Sequence, residues 1–250
     1  MISLPPGRCA DLPSQGSVAG AVVCPPAPLL APELTGLDPV VPELREACAA
    51  AVARLLRSGP EVVTVIGAAR RTAVWPAGAG LDLVAFAPAP GAHDGDLPGA
   101  APSLPLPLGL GARLLDEAGY QGPRRLQSVH PDEPVAACLR LGESLGRLGD
   151  RGGLLVMADG SACRSVRAPG YLDPRAAAFD ETLERAVSGG DLGPLRAMDA
   201  GLARELRADG RPAWQVLAGA MSGQMPAAEV FYADDPFGVF YLVAWLSRSA

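Results

Sequence analysis

The residues with the most chemical potential cluster in one stretch, LLVMADGSACRSVRAPGYLDP, at positions 154–174. An apolar strand runs into Asp159-Gly160-Ser161, a basic loop follows, and a helix opens at Asp173-Pro174. Asp159 ends a buried strand, and the glycine after it permits a sharp turn and close approach of a ligand. Read functionally, Asp159, Ser161 and Cys163 are catalytic candidates on a polar pocket wall. Arg164 and Arg167 are then anion-binding residues. Read structurally, Asp159 satisfies loop amides through an Asx-turn and the arginines stay solvated. Residue types alone leave both readings open.

The chain holds two histidines. His130 ends a short strand before Pro131-Asp132-Glu133, as a general base or as a local cap of the next helix. His93, in PGAHDGDLPG, reads as a solvated loop residue. Neither shows H-x-x-x-H or H-E-x-x-H spacing. A metal site would need His93, His130, Cys24 or Cys163 to converge from distant segments. G-x-S-x-G occurs once, from Gly142 to Gly146. A nucleophile elbow needs a strand before it and a helix after it. Here the pattern sits inside a helix with Leu141, Leu145 and Leu148 on one face, so it is a chance match. The chain contains no Lys and no Asn, which excludes a Schiff-base lysine and a Walker-type phosphate loop.

The elements that must position these groups come from a chain of 250 residues, 49% hydrophobic, with net charge −6. That supports one sizeable core. Isolated Arg doublets and an acidic balance argue against nucleic acid as a partner. Five widely spaced cysteines without C-x-x-C point to buried thiols in a reducing cytoplasm rather than to a disulfide framework. The N-terminus lacks an apolar signal region, and VAGAVVCPPAPLLAPEL is too short and proline-broken to span a bilayer. A cytoplasmic protein without membrane contact is expected.

Residues 1–17 are expected to form a disordered, dispensable extension, with one domain over 18–250. Strands are expected at 17–24, 61–68, 81–88, 124–130 and 152–160, followed by a closing pair that includes AAEVFYAD and FGVFYLVAWLS. Helices are expected at 42–59, 108–119, 132–149 and 173–190, the last with Asp173 as N-cap and Pro174 at its first position. A proline-stiffened loop covers 25–42, and a long Gly/Pro/Ala loop covers 88–107. Strands alternating with helices predict a three-layer αβα sandwich around a mostly parallel, mixed sheet. In such sheets ligands bind outside the carboxyl ends of the strands. Trp75 and Trp214 read as core packing.

Several segments together resemble the B-type subunit of the class III extradiol ring-cleavage dioxygenases: VVCPPAPLLAPEL, VVTVIGAA, LLVMADGSA with APGYLDPRAAAFD, AWQVLAGA and DDPFGVFYLVAW. More closely, they resemble an uncharacterised branch of that superfamily from GC-rich bacteria. The resemblance implies non-haem Fe(II) held by two histidines and a carboxylate, with a third histidine as acid/base. The positions that match the ligand histidines are Pro26 and Ala69. The acid/base position matches Ala162. Glu229, Asp234 and Asp235 are the candidates for the carboxylate. With those histidines missing, no cofactor is expected, and Fe(II) only if the likeness extends beyond the fold. What remains is a non-catalytic fold that binds a small molecule or a protein partner, a homo-oligomer among the options. The alternatives are an enzyme with another chemistry in the same cleft and a dioxygenase with displaced ligands.

Overall fold

Alternation along the central strands sets the architecture. The computed structural model describes residues 18–35, 40–81, 103–147 and 151–247. Its strands are β1 (Val18–Cys24), β2 (Val62–Ala68), β3 (Ala73–Trp75), β4 (Arg124–Val129), β5 (Gly152–Met157), β6 (Ala227–Asp234) and β7 (Tyr241–Ser247). They form one sheet in the order β3-β4-β2-β5-β1-β7-β6. The central strands β4, β2, β5 and β1 run parallel. The outer strands join antiparallel, β3 on β4, β7 on β1 and β6 on β7.

Successive side chains of a strand point to opposite faces, so a strand covered on both sides reads as a continuous apolar run. In β1, Val22 and Cys24 face one core while Ala21 and Val23 face the other. In β5, Leu155 and Met157 join the first core, Leu154 and Val156 the second. The first core is closed by α2 (Pro42–Arg57) and α3 (Leu106–Glu117). The second is closed by α4 (Val135–Gly146), α5 (Arg175–Gly189) and α8 (Arg211–Ala220). Three short helices complete the set among the described residues: α1 (Pro32–Thr35), α6 (Gly193–Arg196) and α7 (Ala200–Glu205). The protein is a three-layer αβα sandwich around a mixed sheet with a parallel centre.

Every residue of α8 is buried, because α8 lies between α4 and the sheet. Three glycines let the two helix backbones touch. A Cβ on Gly142 would stand 2.1 Å from the Val216 carbonyl oxygen, and one on Gly219 would stand 2.3 Å from that of Leu139. On Gly146 it would meet the Ala220 oxygen at 2.6 Å. The G-x-S-x-G stretch thus lies in α4, where its glycines serve helix packing. Ser144 Oγ donates back to Leu141 O at 2.7 Å.

Several boundaries differ from the sequence reading. The helix expected from 132 begins at Val135, because Pro131-Asp132-Glu133 close a turn in which Glu133 N donates to His130 O at 2.9 Å. The helix expected from 173 begins at Arg175. Pro174, expected at the first helical position, is the observed cap, and Asp173, the expected cap, lies one position before it, its Oδ1 accepting from Arg175 N at 2.9 Å. β3 was not expected. It is a short edge strand fixed by Ser128, whose Oγ donates to Arg71 O and accepts from Trp75 Nε1, each at 2.7 Å. The expected 25–42 loop contains a 3-10 turn, Pro28–Leu30, and α1. Of the strand expected at 81–88 only Leu81 is described, bridged to Leu104. The N-terminal extension and most of the 88–107 loop lie outside the described residues. Cys24, Cys48, Cys138 and Cys163 are free and buried. Among the described residues no helix is long and apolar enough to cross a membrane.

Candidate functional site at the carboxyl edge of the sheet

The parallel strands β1, β2 and β5 are neighbours, with β5 in the middle. Cys24 of β1 and Gly67 of β2 both stand in register with Met157 of β5. The loops after these strands therefore open on one edge. Pro26, Ala69, Asp159 and Ala162 all lie on those loops.

Asp159 leaves β5 two residues after its end and is only partly exposed. Gly210, just before α8, donates its backbone N–H to Asp159 Oδ1 at 3.2 Å. Trp214 of α8 donates its indole N–H to the Asp159 carbonyl at 2.8 Å. The two contacts press the turn onto α8, and no side chain fits at 210: a Cβ there would stand 2.7 Å from Asp159 N and O. Burial, with the nearby Asp209 charge, pushes the Asp159 carboxyl up to about 7. That value suits a group exchanging protons near neutrality. Tyr241, at the start of β7, is buried and pushed up to about 12 by burial and then by the Asp159 charge.

Ser161 and Asp180 form a second, buried pair. Ser161 donates to Asp180 twice, from its N–H at 2.8 Å and from Oγ at 2.6 Å. Burial pushes the Asp180 carboxyl up to about 6, against the Ser161 hydrogen bonds and the Arg164 charge, which pull it down. Arg164 Nε bonds Asp235 Oδ2 at 2.6 Å and lies 3.8 Å from Asp180 Oδ2. Two carboxylates thus answer its charge, while its buried Nη1 has no hydrogen-bond partner among the described residues. The Ser161 hydroxyl points at a carboxylate with no imidazole between them. Gly160 makes room for the pair, since a Cβ there would stand 2.6 Å from Asp180 Oδ1.

The other sequence candidates fall around these two groups. Cys163 is buried, bonds Leu206 O at 3.4 Å, and has its thiol pushed up by burial, which suppresses the reactive thiolate. Arg167 is exposed on the loop, its backbone N–H donating to Ser165 Oγ at 3.3 Å. His130 follows β4; its Nδ1 accepts from Asp132 N at 3.0 Å, and its backbone N–H donates to Thr72 Oγ1 at 2.9 Å. The ring nitrogen that accepts is therefore engaged in the local turn. Glu229 lies within β6, in register with Trp245, and pairs with Arg54 at 3.9 Å. Asp234 ends β6 opposite Tyr241, and Asp235 holds Arg164. His93 lies outside the described residues. No group of three or more His, Cys, Asp or Glu able to hold a metal occurs among the described residues.

Sequence reasoning passed over Asp180, Asp209, Tyr241 and Arg211. Asp180 did leave a signal. It shares a face of α5 with Ala176, Leu183 and Val187, and a carboxylate on an apolar stripe needs a buried partner. Arg211 is also buried; it bonds Gln215 Oε1 within α8 at 2.7 Å and ties the helix to the loop after β4 through the carbonyls of Glu133, at 2.9 Å, and Pro131.

No family model matches the chain, and no curated protein matches it. Among solved structures, an uncharacterised protein of Escherichia coli K12 is similar at 17% identity with a TM-score of 0.53. The match covers 92% of this chain and 99% of that one. At this identity the likeness shows a shared fold.

Proposed function

We propose that this protein is a class III extradiol dioxygenase-like protein that lacks the iron centre and uses its fold to bind a small molecule or a protein partner. One observation carries the reading. The loops after β1, β2 and β5 open on one edge, and the three positions that the resemblance gives to histidines hold Pro26, Ala69 and Ala162. Proline and alanine have no donor atom, so the residue types on this edge do not fit a facial triad of two imidazoles and a carboxylate. The same edge favours binding. Val166, Tyr171 and Leu172, on the loop after β5, are exposed, as is Phe237 in the turn before β7. That turn packs on the loop, where Arg164 N donates to Gly238 O at 3.0 Å. Exposed apolar side chains gathered on one loop are a common mark of an interaction surface.

Anaerobic reconstitution with Fe(II), desalting, metal analysis and an oxygen-uptake assay with catechols test this reading. The expected result is iron far below one equivalent and no ring-opened product. Near-stoichiometric iron that survives desalting, with ring-opened product, overturns it.

A second reading has its own support. Asp159 is partly open, sits at the strand edge and titrates near neutrality. Those properties suit a general acid or base for a metal-free reaction such as hydrolysis. Screening ester substrates with the native protein and Asp159→Asn separates the two. Turnover lost in the variant, with a pH profile that breaks near 7, supports the enzyme.

A further inference from the structure

A groove lies on the outer side of α5, away from the Asp180–Ser161 pair. Its walls are the first turns of α5 on one side and α6 with the start of α7 on the other, and this half-open groove offers about 500 Å³. Phe179, Leu183, Leu195, Met198 and Leu202 supply its apolar surface. Leu183 and Leu195 are buried, whereas Phe179, Met198 and Leu202 are partly open. Pockets that take one small organic molecule measure about 300–1,000 Å³ and are mainly apolar. Met198 adds an adaptable wall, since an unbranched thioether fits ligands of varied outline.

The three polar side chains of the rim each hold a hydrogen bond within the protein. Arg175 bonds Asp173 and Glu205, each at 2.7 Å. Thr182 Oγ1 donates to Ala178 O at 2.8 Å. Asp199 Oδ1 accepts from Leu202 N at 2.6 Å, capping α7. An anionic ligand would shed hydration here and find the one lining cation, Arg175, already paired, and a cationic one would find only the exposed, water-screened Asp199 carboxylate at the rim. An apolar ligand gains from every part of the wall. Length argues against a partner helix, which lays several turns along an extended groove. Here one wall is α6, of four residues, and α7, of six.

We infer that this groove is a binding site for one uncharged, apolar small molecule, distinct from the strand edge. The neutral dye N-phenyl-1-naphthylamine, whose emission rises in apolar surroundings, is the probe. It should bind the 250-residue chain saturably at one site. Ala178 and Ala197 line the groove and are exposed, so a larger side chain at either fills it without displacing the core. Ala178→Phe and Ala197→Phe should each weaken the dye at least about tenfold, readable as a shift in Kd. Ala50→Phe, exposed on α2, should leave it unchanged. Thermal melts confirm that each variant folds, and two filling variants guard against one that does not. Absence of saturable binding, or unchanged affinity in folded filled variants, overturns the inference. Tighter binding of the anionic 8-anilino-1-naphthalenesulfonate at the same groove overturns its uncharged character. A dimer seen by light scattering that Ala178→Phe dissociates, without dye binding, gives the groove to a second copy of the chain and overturns it too.

Discussion

Asp180 shows how a carboxylate is kept in a core when its nearest partners are neutral. It is almost fully buried, and both oxygens accept from Ser161. Replacing it with alanine leaves a buried N–H and a buried hydroxyl without partners. Asp180→Ala should lose about 2–4 kcal/mol in urea denaturation, and Asp180→Asn clearly less, since the amide keeps one acceptor. Asp159 makes the complementary case for pH. Its folded pKa, about 7, lies above the unfolded value near 4. The folded state therefore binds more protons between those values. This contribution is complete below about pH 4 and is lost as pH rises through 7. Asp180, at about 6, acts in the same direction. The surface acids Glu33 and Asp173 act oppositely: arginine partners hold both down to about 2, so their contribution is present above the usual carboxylate range and is lost as pH falls toward 2. Asp159→Asn isolates one term. It should gain stability relative to the native chain as pH rises from 4 to 8, by roughly 1–2 kcal/mol after allowing for its partial exposure. Denaturation midpoints at pH 4, 6 and 8 check this, and a constant difference would mean that Asp159 ionises freely. The turn at Asp159 was legible because Asp-Gly after an apolar run announces one, although β5 itself stops at Met157, short of the expected 160. Asp180 was missed because nineteen positions separate it from the serine it binds, and no local pattern states that pairing.

The contact between α4 and α8 is made by absent side chains. Alanine in place of Gly142 or Gly219 would improve intrinsic helix propensity by up to about 1 kcal/mol. It would also drive a methyl group into a backbone oxygen little more than 2 Å away. Backbone cannot swing aside as a flexible side chain can, so the clash wins. Gly142→Ala and Gly219→Ala should each destabilise by about 1–3 kcal/mol net. Gly189→Ala is the counterpart, because a Cβ there meets nothing within 4 Å. It should be neutral or gain a few tenths of a kcal/mol. Chemical denaturation of the three variants side by side is the measurement, and equal effects would refute the packing argument. The same elements show what local sequence can state. The continuous apolar runs of β1, β2 and β5 mark buried strands, and the helical spacing of Leu44, Cys48, Val52 and Leu55 marks the buried face of α2. β3 was missed because it is three half-exposed residues held by Ser128 from the neighbouring strand. The total burial of α8 was hidden by Arg211 and Gln215, whose polar ends are satisfied by each other and by loop carbonyls that only the fold brings near.

At the scale of the whole molecule, strand order is the least local fact and the one that builds the edge. Alternating strands and helices allowed a mixed αβα sandwich to be expected, but nothing in β5 states that it inserts between β1 and β2. Once it does, the loops holding Pro26, Ala69 and Asp159 share one edge, whatever side chains they carry. A core that depends on apolar alternation rather than on those loops can keep its shape while the edge changes its chemistry. The thiols report on that core. Cys24 and Cys48 lie in the core on the α2 side of the sheet, and Cys138 lies in the core on the α4 side. Burial pushes the Cys24 thiol well up, with Cys48 beside it adding to the shift, and burial raises Cys138 too. Alkylation needs an exposed thiolate, so in the native state these three should react only when the structure opens. Under strong denaturant all should react at once. Gly142→Ala then asks whether the two faces form one cooperative unit. The substitution weakens the α4–α8 side alone. If the sheet couples both faces, alkylation of Cys24 and Cys48 accelerates as much as that of Cys138, measured by mass spectrometry of the labelled peptides. If Cys138 alone accelerates, α4 opens by itself and the sheet is not the unit of stability.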